Sequence, residues 1–295
     1  MNILITGSSG LIGKKLTSFL IQNGHAIKHL STSQTGENIF HWNPAQNELD
    51  ETCLDNTDVV VHLAGANIFS EAWTDKRKKE IIDSRVRGIE LIRDACERKG
   101  IQLKHFISAS GVGYYGDRPN EVVAEESSAG NGFAAGVCEK WEETASTMST
   151  CAKNISILRI GIVFAQEGGY ITEMKKLSKY KILAPLASGR QMISWIHLLD
   201  LCRIFIALLE EKIPAGIYNG VSPADISNKE LTYLMNEIWG SPQWPIHVPA
   251  YVLKLILGER AQELIGGQHV SANKILDAGF EFKYTEAKQA IENIS

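Results

Sequence analysis

Short β-branched runs separated by stretches of helical period run through the first 165 residues: "NILIT", "AIKHLS", "DVVVHLAG", "KHFISAS" and "NISILRIGIVF". A strand that returns parallel to the one before it needs a long crossover, and a helix is the usual one. The alternation therefore predicts an α/β chain with a parallel sheet covered by helices on both faces. "VVVHLA" and "ILRIGIVF" are apolar without a break, as expected of central strands buried on both sides. After Phe164 the pattern loosens into "AQEGGYITEMKKLSKYKILAPLASGRQMIS", then resumes with a helix over about 197–211 and a strand near "GIYNGVS". From Asn228 the chain reads mostly helical, with Pro242, Pro245 and Pro249 marking a linker.

The first strand runs into "GSSGLIG", which puts Gly7, Gly10 and Gly13 at a strand-to-helix junction. Three needs meet there: a tight turn, close backbone approach to a pyrophosphate, and tight packing of helix on sheet, with free N–H groups at the helix N-terminus. The spacing is one residue longer than G-x-G-x-x-G. The expected architecture is a Rossmann-type doubly wound sheet over 1–165, to which 193–222 returns, with a smaller, mostly helical substrate-side portion over 166–192 and 223–295. NAD binders carry an acid about 20 residues on, but here "AIKHLSTSQTG" holds no acid before Glu37. Ser31, Thr32 and Ser33 are placed to donate to a 2′-phosphate, with Lys14 or Lys15 adding charge, so the expected cofactor is NADP rather than NAD. A plain polar loop is the other reading of those hydroxyls.

Lys+Arg 30 against Asp+Glu 34 gives a net charge of -4, and the one charge cluster, "DKRKKE", is bracketed by acids. That argues for a solvated helix face and against a nucleic-acid partner. No apolar run approaches the roughly 20 residues of a membrane span. The five cysteines are widely spaced and odd in number, which points away from disulfides and zinc and toward a cytoplasmic location. No metal site and no particular oligomeric state are expected from the sequence.

Together with the glycine motif, "VVVHLAGANI", "SASGVGYYG", "ILRIGIVF" and "SWIHLLDL" resemble the extended short-chain dehydrogenase/reductase superfamily. "LAGANI", "WTDKRKKEIIDSRV", "VCEKWE", "GRQMISWIH" and "VPAYVLKLILGERAQELIGGQHV" are similar to its atypical branch, the epimerase family proteins of the YfcH type, over essentially the whole chain. The resemblance implies that Gly7, Ser9, Gly10, Leu11, Ile12 and Gly13 surround the pyrophosphate, with Ala64, Gly65 and Ala66 beside the adenine ribose. It places Ser108 and Ser110 at the strand end facing the nicotinamide and Arg159 near the last cofactor strand. Arg190, Gln191 and Trp195 suit a substrate wall, with His197 a further substrate-side candidate; His197 and Asp200 fit the family's H-x-x-D, and a packed histidine and a helix-start carboxylate are the alternative readings of those two.

In that superfamily a Tyr-x-x-x-Lys pair on one helix face transfers the proton. Here "FAAGVCEKWEE" puts Ala134 and Cys138 at those positions, counted back from Glu142. Alanine has no proton to give and a neutral thiol supplies no fixed charge. Ser110 is then expected to orient a substrate oxygen, and Tyr114, followed by Tyr115, is the candidate proton donor. A buried structural thiol is the stronger reading of Cys138. Arg85, a candidate cofactor-binding residue, stands where extended family members often have asparagine, a planar fork suited to phosphate or carboxylate if it points into the cleft and a surface charge if it does not. Two functions remain open: an NADP-preferring oxidoreductase or epimerase acting on a small polar substrate such as a nucleotide sugar, and a catalytically lapsed NAD(P)-binding sensor or regulatory protein.

Overall fold

The computed structural model describes residues 1–33 and 36–295. In chain order the strands are β1 (Asn2–Thr6), β2 (Ala26–Ser31), β3 (Ile39–Asn43), β4 (Glu48–Leu49), β5 (Val59–His62), β6 (Leu103–Gly111), β7 (Arg118–Val123), β8 (Ala152–Ile160), β9 (Ile162–Phe164), β10 (Met192–Ile193), β11 (Trp195–His197), β12 (Ile217–Gly220), β13 (Ile226–Ser227) and β14 (Gln268–Val270). The helices that position the site are α1 (Leu11–Gln22), α2 (Asp75–Lys99), α3 (Phe133–Ser146), α4 (Gly169–Lys179) and α5 (Leu198–Leu209).

An eight-stranded sheet runs β12-β8-β6-β5-β1-β2-β3-β4. It is parallel except for the antiparallel β3–β4 pair at one edge. β1 lies between β2 and β5, so the chain reverses direction across the sheet there. The crevice beyond the carboxyl ends of β1 and β5 is the topological switch point at which open α/β sheets take ligands.

Alternation along β1 divides the core: Ile3 and Ile5 pack toward one face with Leu16, Leu20, Leu201 and Phe205, while Leu4 packs toward the other with Ile89, Ile92, Phe106 and Trp141. Both sides of each central strand are buried, which is why these strands need no polar residue in alternate positions. A third cluster, around Phe164, Trp195, Leu231, Met235 and Ile291, holds the C-terminal segments together. β14 also pairs with β7, tying that region to the loop beyond β6. No helix among the described residues is long and apolar enough to cross a membrane.

Candidate cofactor and active site

The turn after β1 is crowded. Gly7 has φ +70°, and a Cβ there would lie 2.8 Å from the Ala64 nitrogen; a Cβ on Gly13 would collide with the Gly7 carbonyl oxygen and sit 2.7 Å from the Ser8 Cα. The first glycine therefore supplies a left-handed backbone and the third lets α1 close onto the turn. Gly10 caps α1 without a side-chain hydrogen bond, and the helix has no acid in its first turn. Its N-terminal N–H groups and positive dipole end thus face a surface where Ser9 and Gly10 are exposed and Leu11 and Ile12 half-buried. A cradle in which added methyl groups collide, with uncapped N–H donors at its rim, fits a dinucleotide pyrophosphate.

The facing loop is held from beneath. Thr6 Oγ1 accepts from the backbone nitrogens of Leu63 and Ala64, both at 3.1 Å, so its own hydrogen goes to His62 Nδ1, 3.0 Å away. His62 is fully buried and neutral, its pKa pushed down to about 3, first by burial and then by the Arg85 charge. Ser84 Oγ accepts from the Ala66 nitrogen at 3.0 Å, and Arg85 Nη1 donates to the Ala66 carbonyl at 3.2 Å. Ala64, Gly65 and Ala66 thereby line the switch point opposite the glycine turn. At the end of β2 the Ser31 hydroxyl accepts from the Ser33 nitrogen at 3.3 Å, and Thr32 is exposed.

The chemistry side is built differently. Ser110, at the end of β6, donates to Glu142 Oε1 at 2.6 Å. Arg159 grips the same carboxylate with two bonds, Nε to Oε1 at 2.9 Å and Nη2 to Oε2 at 2.8 Å. Its Nη1 reaches the Tyr115 hydroxyl at 2.9 Å and the Glu125 carbonyl at 3.0 Å, while Tyr115 donates to Asn219 Oδ1 at 2.6 Å. Burial opposes the Arg159 charge, but Glu142 and Tyr115 outweigh it and hold its pKa above the ordinary arginine value; burial pushes Tyr115 up to about 12. The Arg159 guanidinium carbon also lies 3.5 Å from the Tyr114 ring centre. Tyr114 itself is half-buried, and its hydroxyl makes no hydrogen bond within the described residues.

Ala134 and Cys138 do face the end of β6: a Cβ on Gly113 would sit 3.4 Å from the Ala134 methyl, and one on Gly111 3.7 Å from the Cys138 sulfur. Burial, then the Glu142 charge, pushes the Cys138 thiol up to about 11, so it is neutral and buried rather than nucleophilic.

Several expected placements are corrected. Arg159, expected beside the cofactor, is 2% exposed and engaged on every side by the internal network. Ser108 is buried and donates to the Ala109 carbonyl at 2.9 Å. Trp195, expected on a substrate wall, stacks on Phe164 within the core, and its indole N–H goes to the Ala224 carbonyl at 3.0 Å. His197 caps α5 by accepting from the Leu199 nitrogen at 3.0 Å and stacks on Tyr284. Burial lowers its pKa and keeps it neutral. Asp200 binds the backbone nitrogens of Lys283 and Tyr284, so the H-x-x-D pair ties down the C-terminal segment. Arg190 remains exposed. In the sequence Glu142 serves only as a landmark for the missing pair; the signal of its structural part is an inward glutamate one turn beyond Cys138, facing a strand that carries an arginine.

Residues 3–219 match the model of the NAD dependent epimerase/dehydratase family. The chain belongs to that family. Residues 248–294 match a second model, a domain of unknown function (DUF1731). Relatives within the family include epimerase family protein ML0860 of Mycobacterium leprae, 33% identical over 98% of this chain and 94% of that protein. Epimerase family protein SDR39U1 of Mus musculus is 32% identical over 100% of this chain and 99% of that protein. The human SDR39U1 crystal structure, solved with NADPH, superposes with a TM-score of 0.88 at 28% identity, covering 100% of this chain and 99% of that one. A UDP-glucuronic acid 4-epimerase from Bacillus cereus shares the fold, with a TM-score of 0.80 at 17% identity over 99% of this chain and 97% of that one. The resemblance to extended short-chain dehydrogenase/reductases read from the motifs holds in both sequence and fold.

Proposed function

We propose that the protein binds a nicotinamide dinucleotide, NADP(H) in preference to NAD(H), across the turn from Gly7 to Gly13, and acts as an oxidoreductase or epimerase on a small polar substrate. The observation that carries this reading is the crowded glycine cradle at an uncapped helix N-terminus. The NADPH in the human relative's structure and the acid-free end of β2 support the NADP preference. When bound, the cofactor supplies a hydride donor or acceptor. The chain's own contribution is orientation and proton handling. Because the Ser110 hydrogen is committed to Glu142, its oxygen presents lone pairs and orients a substrate hydroxyl as an acceptor. Tyr114 is the candidate proton donor, with its ring backed by Arg159. A nucleotide sugar and a cytoplasmic location are further parts of this proposal.

The second reading, a lapsed cofactor-binding sensor, is favoured by one observation: both positions of the usual acid–base pair are occupied by buried groups uncharged near neutral pH, the Ala134 methyl and the Cys138 thiol. Incubation with NADPH and with NADP⁺ against a panel of polar carbonyls, alcohols and nucleotide sugars, followed by nicotinamide absorbance and by product analysis for epimers, separates the two. Turnover with any member supports the enzyme; tight cofactor binding with no turnover across the panel supports the sensor.

A further inference from the structure

Arg85 is unlike the other arginines of α2. Arg77, Arg87, Arg93 and Arg98 each pair with a carboxylate within 4 Å, whereas no acid of the described residues lies that close to Arg85. Both of its hydrogen bonds leave from Nη1, to the carbonyls of Ala66 at 3.2 Å and Ile81 at 2.9 Å. Nε is buried with no partner, and Nη2 makes no hydrogen bond within the described residues. The unpaired Nε–Nη2 edge is the side of a guanidinium that takes two coplanar oxygens.

The surroundings fix that edge in place. The Trp141 ring centre lies 4.9 Å from the guanidinium carbon. Gly65, itself exposed, passes so close that a Cβ would be 3.0 Å from that carbon and 3.3 Å from Nε. Glycine here permits the approach, since any side chain would press on the guanidinium, and Arg85 as a whole remains only half-buried. An unpaired, partly buried cation is costly, and burial lowers its pKa; an anion at the free edge removes that cost.

We propose that Arg85 is an oxyanion-binding residue, its Nε–Nη2 edge receiving a carboxylate or phosphate at the junction of the dinucleotide cradle and the acid–base side. The inference deepens the proposed function and rests on it for the ligand's role. Two sources supply the same chemistry: an acidic group on the substrate, or a phosphate of the cofactor.

The experiment compares wild type with Arg85→Met and Arg85→Lys. Melting temperature and tryptophan fluorescence are followed on adding malonate or inorganic phosphate against chloride at matched ionic strength, without nucleotide. NADPH affinity is measured in parallel. A substrate-side site predicts anion-specific stabilisation of wild type, lost in Arg85→Met, with unchanged NADPH affinity. A cofactor-side site predicts NADPH binding weakened roughly 10- to 100-fold in Arg85→Met and less in Arg85→Lys. If Arg85→Met does not fold, Arg85→Gln, which keeps an amide donor for the Ala66 and Ile81 carbonyls, takes its place. Folded variants that match wild type in both anion response and NADPH affinity overturn the proposal. Failure of wild type to bind NADPH fails the proposed function instead, and the nucleotide-free anion titration then decides Arg85 alone.

Discussion

The two halves of the cleft are built on opposite principles. The dinucleotide half is backbone: Gly7 approaches the Leu63–Ala64 backbone, and Gly13 the Gly7–Ser8 backbone, so closely that a Cβ on either collides, and its polarity comes from helix N–H groups. The chemistry half is side chain: Ser110, Glu142, Arg159, Tyr115 and Asn219 are joined in one buried network, while the positions of the usual proton-transfer pair hold Ala134 and Cys138. The glycine cradle and the buried side-chain network therefore rest on separate physical supports. One is able to change while the other stays.

The contrast is broken most severely at the glycine turn. Gly13→Val places branched carbons where even a Cβ collides with the Gly7 backbone. NADPH binding in a fluorescence titration is expected to fall by at least about 100-fold, with overpacking of about 1–3 kcal/mol visible in urea unfolding. On the other half, Glu142→Ala strands the buried Arg159 charge. The expected loss is about 3–5 kcal/mol of stability by denaturant titration, with NADPH affinity retained by the folded fraction.

Tyr114→Phe sharpens the comparison without touching the fold. In the first assay that shows turnover, kcat is expected to fall by about 10²–10⁴-fold if Tyr114 carries the proton, with NADPH affinity unchanged. An unaltered kcat removes Tyr114 from the mechanism. The smallest effect is on pH dependence. The folded pKa of His62, about 3, lies below its ordinary 6.5, so the unfolded chain binds the extra proton between those values. The stability this supplies above pH 6.5 is lost as pH falls toward 3, by up to ~1.4 kcal/mol per pH unit. His62→Phe is expected to show a shallower acid slope in otherwise identical unfolding experiments.

The dinucleotide half was legible in the sequence because its determinants are local. Gly7 to Gly13 span one turn, and Ile3, Leu4 and Ile5 announce a strand buried on both faces. The chemistry half was legible only as a gap at residues 134 and 138. Its network joins Ser110 to Glu142 across 32 residues and Arg159 to Tyr115 across 44, and no spacing rule connects residues that meet only through sheet order. Trp195 and His197 misled for a related reason. An aromatic or imidazole near a strand end reads the same whether it faces the cleft or turns inward, and both turn inward onto Phe164 and Tyr284.

The most direct test of this division is a titration of the wild-type protein with NADPH and, separately, NADH, following energy transfer from tryptophan to the bound nicotinamide. The cradle predicts saturable binding, tighter for NADPH, despite the missing proton-transfer pair. Absence of binding by either nucleotide would contradict it and would leave the crowded glycine turn as a packing device alone.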